Sequence, residues 1–186
     1  MSEILFIRHG STAGNLEKRY IGRTDEPLCE AGIAQTEALA RQNLQADLLF
    51  LSPALRTRQT AQILFPHMTG TQIPELWETD FGIFEAKTYQ ELSDCPAYQT
   101  WLDSNCTGEI PGGESVAAFK HRCTAAFQKL AATIPEDATA AFVIHGGCIM
   151  AILEAFALPK KDFYDYHISN GSFIRCRWTD GTLRVL

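Results

Sequence analysis

The chain has 186 residues, 46% hydrophobic and 20% charged, which suits one domain with a full-sized core and excludes a disordered chain. A formal net charge of -6 argues against the basic face that nonspecific nucleic-acid binding requires. No run approaches the roughly 20 apolar residues that span a membrane, and no basic leader precedes an apolar stretch, so a cytoplasmic location with no membrane partner is expected.

Ile4-Leu5-Phe6-Ile7 predicts a strand buried on both faces, and it runs directly into Arg8-His9-Gly10. An alanine-rich helix is expected from Ala31 to about Asn43, followed by a second apolar strand, Leu48-Leu49-Phe50-Leu51. Ser52-Pro53 reads as a helix start, with the hydroxyl as N-cap and proline at the first helical position, leading into Ala54 to Ala61. The span 77–113 is the least regular and is expected to form a helical insertion or lid over the site. Pro111-Gly112-Gly113 marks entry to a helix from about Glu114 to Ala132, whose Val116, Phe119, Cys123, Ala126, Phe127 and Leu130 share one face; Glu114-Ser115 reads as its cap.

Ala141-Phe142-Val143-Ile144 predicts a third buried strand, ending in His145-Gly146, and Cys148 to Phe156 a further helix closed by Pro159. Phe173 to Trp178 alternates as a strand, and Thr179-Asp180-Gly181-Thr182 turns it into Leu183 to Leu186. This order predicts an α/β fold over residues 1–186: a single-domain, three-layer α/β/α sandwich with a mostly parallel central sheet and an antiparallel edge from the C-terminal hairpin.

Two strands that each end in His-Gly place two imidazoles at the carboxyl edge of one sheet, where ligands of α/β folds sit. Phosphoryl transfer needs a nucleophile, cations for the equatorial oxygens and an acid for the leaving oxygen. His9 can attack phosphorus with one ring nitrogen while a backbone carbonyl holds the other, and Arg8 and Arg56 can present forked donors to phosphate. A helix N-terminus near Ser52 would add a favourable dipole, and His145 would be a fourth member of the clamp. Arg19, Arg23 and Arg58 also fall in the first third and read equally well as surface charges. The six cysteines form no C-x-x-C pair, which predicts reduced thiols and no metal cluster.

The stretch Ile7 to Asn15 resembles the signature of the histidine phosphatase superfamily, the phosphoglycerate mutase-like family. The likeness continues, in the family's order, through Tyr20 to Leu28, Ser52 to Ala61, Leu76-Trp77-Glu78, Phe81-Gly82, Pro111 to Ser115 and Val143 to Gly147. The resemblance implies that His9 is the phosphorylated nucleophile, that Arg8, Arg56 and His145 clamp the phosphoryl oxygens, and that Glu78 protonates the leaving group. It places Thr12, Asn15, Gly22 and Gly146 in the substrate pocket or its nucleophile loop, and implies no metal and no cofactor. Glu75 and Glu85 are neighbouring carboxylates that compete with Glu78 for the acid role.

Ser11 stands where many members carry glutamate, and Phe84-Glu85-Ala86 replaces a common Trp-Glu-Gly. The mutase branch holds a second anionic group with an adjacent arginine pair after the acid; between Glu78 and His145 this chain has only Lys87, Lys120, Arg122 and Lys129. The expected activity is therefore hydrolysis of a small phosphorylated metabolite, with alpha-ribazole phosphatase-type members the most similar. Mutase-type phosphoryl transfer, a non-catalytic relative that binds phosphorylated ligands, and a homodimer are left open.

Overall fold

The structure, a computed structural model, describes residues 1–186. In chain order the elements are β1 (Ser2–Arg8), α1 (Ala13–Leu16), α2 (Glu30–Ala40), β2 (Leu48–Leu51), α3 (Leu55–Leu64), β3 (Thr71–Gln72), α4 (Pro96–Asp103), α5 (Val116–Ala131), β4 (Thr139–Ile144), α6 (Gly146–Phe156), β5 (Ala157–Leu158), β6 (Phe173–Thr179) and β7 (Thr182–Val185). Short 3-10 turns at Pro74–Leu76, Gly82–Phe84 and Phe163–Tyr166 punctuate the long connections.

The seven strands form one sheet in the order β3-β2-β4-β1-β6-β7-β5. Strands β3, β2, β4 and β1 are mutually parallel, while β6 runs antiparallel to both β1 and β7. Period-two alternation divides the buried strands between two cores. Ile4, Phe6, Ala140, Phe142 and Ile144 pack with Phe119, Phe127, Ile149 and Ile152 of α5 and α6, whereas Leu5, Ile7, Ala141 and Val143 pack with Leu39, Ala61 and Phe65 on the α2–α3 side. These are the three layers of the α/β/α sandwich, and they explain why Ile4 to Ile7 of β1 and Ala140 to Ile144 of β4 are apolar throughout.

Two expectations need correction. The C-terminal hairpin is not the sheet's edge, because β5 adds parallel to β7 outside it; two residues between a helix and a proline carry no readable strand pattern. Ser52 does not cap α3, whose N-cap position is Ala54 and whose first N–H, from Leu55, is taken by Asp25 Oδ1 at 2.7 Å. A carboxylate distant in sequence thus answers the helix dipole that had been expected to face an anion, and the Ser52 hydroxyl is free for another partner.

The span 77–113 contains the Gly82–Phe84 turn and α4, and Phe84, Leu92, Tyr98, Trp101 and Ile110 give it a small core of its own. Helix α5 is capped by Ser115, whose hydroxyl accepts from Ala118 N–H at 3.2 Å; Glu114 makes other contacts.

Candidate active site

Register brings the two histidines together. Arg8 pairs with Ile144 across β1 and β4, so the next residue on each strand, His9 and His145, leaves the sheet at the same level. Their ring centroids lie 5.2 Å apart, nearly edge to face, and both residues are buried, with 3% and 0% of their surface exposed.

Each imidazole is oriented by one oxygen. His9 Nδ1 lies 2.7 Å from Gly10 O, and because a carbonyl can only accept, Nδ1 carries the proton and Nε2 keeps its lone pair. His145 Nε2 lies 2.8 Å from Ser52 Oγ, which is where the misassigned cap hydroxyl goes. The Ser52 hydroxyl is wholly buried and His145 Nε2 is the acceptor within its reach, so it donates there and the ring proton is assigned to Nδ1. Burial first, and then the guanidinium of Arg56, push both histidines well below the ordinary value, so both are neutral near pH 7.

Two arginines accompany them, Arg56 wholly buried and Arg8 partly so. Arg56, 0% exposed, donates to Thr24 O at 2.9 Å and Gly22 O at 2.8 Å; Arg8 donates to Ile168 O at 2.6 Å. Burial lowers both from the usual arginine value, opposed by the charge of Glu78. Four buried side-chain nitrogens lack a hydrogen-bond partner, and three of them are Arg8 Nε, Arg56 Nε and His145 Nδ1. Buried donors are rarely left unmatched, so these three, on residues around His9, can serve an acceptor-rich, anionic group.

Glu78 accepts Gly147 N–H at 2.9 Å and Thr79 N–H at 3.0 Å. Gly147 is needed for that approach: a Cβ there would come within 2.3 Å of Glu78 Oε1. The rival carboxylates are placed elsewhere. Glu75 is exposed, and Glu85 accepts from the N–H groups of Gly22, Arg23, Thr24 and Phe81 and from the Thr24 hydroxyl. Glu85 thereby fixes the loop whose carbonyls hold Arg56. Ala86 beside it adopts φ +59°, the left-handed conformation a glycine takes without strain, which costs about 1 kcal/mol in an alanine.

Thr12 and Asn15 form a capping box on α1 and so brace the loop after His9. Gly22 contributes its carbonyl to Arg56, and a Cβ there would overlap Thr79 O at 1.7 Å. Gly146 begins α6 against the Arg8 guanidinium. Arg19 pairs with Glu17 and Glu91 away from the histidines, Arg58 is exposed, and Arg23 lies 5.6 Å over the Trp77 ring. The Trp77 ring in turn stacks on His145 at 6.3 Å.

Sequence reasoning overlooked the turn Ile168 to Gly171. Asn170 Nδ2 donates to His9 O at 3.1 Å and to Asn15 Oδ1 at 3.2 Å, and Gly171 N–H donates to the carbonyl of His9 at 3.0 Å. The Asn170-Gly171 pair just ahead of the last hairpin was the available signal.

Beyond Glu78 opens a cavity of about 510 Å³. Its walls include Tyr20, Phe81, Trp101, Phe119, Phe163 and Tyr164. Apart from Arg8, the cation in its lining is Lys120, which is already paired with Glu154 at 2.6 Å. The arrangement combines unmatched buried donors around a neutral, oriented imidazole, a carboxylate at its margin, and a chamber with six aromatic side chains in its walls.

Residues 4–186 match the sequence model of the histidine phosphatase superfamily (branch 1). "Probable phosphoglycerate mutase GpmB" of Enterobacter sp. (strain 638) is 31% identical, over 96% of this chain and 88% of that protein. The crystal structure of the alpha-ribazole phosphatase from Shigella flexneri superposes with a TM-score of 0.87 at 25% identity, covering 99% and 95% of the two chains. That of phosphoglycerate mutase from Thermus thermophilus gives 0.76 at 33% identity, over 99% and 96%.

Proposed function

The chain belongs to the histidine phosphatase superfamily, and from that premise we propose that it is a phosphomonoesterase working through a phosphohistidine on His9. The observation that carries this reading is the set of buried, unmatched donors of Arg8, Arg56 and His145 around a neutral histidine with a free Nε2.

In the first step His9 Nε2 attacks phosphorus, and the bond to the ester oxygen breaks as Glu78 delivers a proton to it. Arg8, Arg56 and His145 Nδ1–H stabilise the charge on the equatorial oxygens, in a buried setting where such donors need no reorganisation. In the second step water attacks the phosphorus, Glu78 takes its proton, and the N–P electron pair returns to His9 as inorganic phosphate leaves. Residues 77–113 serve as a lid that carries the acid and part of the leaving-group wall.

The chamber argues for hydrolysis over mutase chemistry. A mutase must hold a second anion, and Lys120 is neutralised by Glu154. Aromatic walls suit a bulky, uncharged leaving group, and alpha-ribazole phosphate, whose alcohol carries an aromatic base, is the substrate we favour. Given that ester and, separately, 3-phosphoglycerate with a bisphosphoglycerate primer, the protein should release phosphate from the first much faster than it forms 2-phosphoglycerate from the second. Faster isomerisation than phosphate release would favour the activity for which the 31%-identical relative is named.

A further inference from the structure

We propose that Arg122, locked by Glu114, is a positioning residue that holds Glu78 at its working distance from the phosphoryl site. The inference rests on Glu78 being the proton donor.

The segment 77–80 follows a single 3-10 turn and belongs to no helix or strand, so its backbone groups must find partners elsewhere. Arg122, on α5, reaches that segment and the turn before it. Its Nη1 donates to Glu75 O and Trp77 O, both at 2.7 Å, and its Nη2 to Glu78 O at 2.9 Å. The guanidinium is fixed in turn by Glu114, which accepts from Nε at 2.9 Å and from Nη2 at 2.5 Å. Glu114 then reaches the same segment from its other end, accepting Asp80 N–H at 2.9 Å. One ion pair therefore grips both ends of a stretch whose middle carries Trp77, stacked on His145, and Glu78. Buried thiols fill in behind: Cys148 Sγ lies 3.2 Å from Trp77 O.

Arg122 itself lies outside the cavity lining and touches the acid only through its backbone. The contrast with Arg56 is chemical. Arg56 keeps an unmatched Nε beside His9, whereas all three Arg122 nitrogens are engaged within the protein. Lysine could not replace it, because a compact ammonium cannot span three carbonyls and a carboxylate at once.

The test compares an alkyl phosphate, which needs protonation to leave, with p-nitrophenyl phosphate, which needs little. Arg122→Met and Arg122→Lys should each lower kcat on the alkyl ester at least about 10-fold more than on the aryl ester. Added to Glu78→Gln, neither should lower alkyl turnover further, because both changes remove the same proton transfer. Glu114→Gln, which keeps the shape of the pair and favours folding, should show the same selectivity to a smaller degree. Equal losses on the two esters, or losses fully additive with Glu78→Gln, would overturn the proposal while leaving Glu78 as donor. Should Glu78→Gln itself show no selectivity between the esters, the donor assignment fails and this inference falls with it.

Discussion

At the carboxyl ends of β1 and β4, His9, Arg8, Arg56 and His145 are each pinned by an oxygen of the protein, and all but Arg8 are buried. Across the cavity, Trp101, Phe163 and Tyr164 present aromatic surface, and Tyr164 is largely exposed. The floor is positioned by strand register, which a small change in sequence cannot shift without moving the sheet. The far wall hangs on turns and a short helix, which tolerate change. Under the proposed function the floor sets the chemistry and the wall the choice of leaving group, and the two should respond differently to mutation.

The largest effect belongs to the floor. His9→Ala should lose activity by at least about 10³-fold on every ester while circular dichroism shows an intact fold, since no other group can replace the nucleophile. A loss confined to one ester class would place His9 in recognition and erase the distinction.

Glu78 stands on the boundary. Glu78→Gln should cost roughly 10²-fold on alkyl phosphates and far less on p-nitrophenyl phosphate. Matching losses on both would move Glu78 into the anion cradle.

Acid should find the floor's weak point. The folded chain keeps His9 and His145 neutral, but the unfolded chain accepts their protons near the ordinary value of about 6.5. Stability is thus undiminished above that pH and falls as pH drops below it. Melting temperature should decline between pH 7 and 5, and less steeply in a His9→Gln, His145→Gln double variant. An identical slope in both proteins would show that other groups govern acid sensitivity.

The wall gives the smallest effect. Tyr164→Ala should lower kcat/KM about 5-fold for esters with bulky aromatic alcohols, and hardly change it for small alkyl esters, through lost contact area. An equal effect on both would mean that the wall does not select.

The same division governs what could be read from the sequence. His9 and His145 were legible because continuous apolar runs announce buried strands and glycine follows each histidine, and parallel register did the rest. Ser52 was misread because its Ser-Pro context looks like a helix cap, while its actual partner, His145, lies 93 residues away. Arg122 was counted only among the four cations between Glu78 and His145, for nothing in helical periodicity shows three carbonyls from residues 44 to 47 positions earlier. Short edge strands such as β5 left no pattern at all. The placement of the two histidines was visible; long-range partners of irregular segments were not.

The central claim is that phosphate passes through His9. Rapid mixing with an ester labelled in its phosphate, followed within one turnover by an alkaline quench that spares acid-labile phosphoramidates, should leave label on the peptide containing His9. The label should be absent in His9→Ala and should decay at the rate of phosphate release. Steady turnover of the wild-type protein with no labelled peptide at any time within the first turnover would contradict the account.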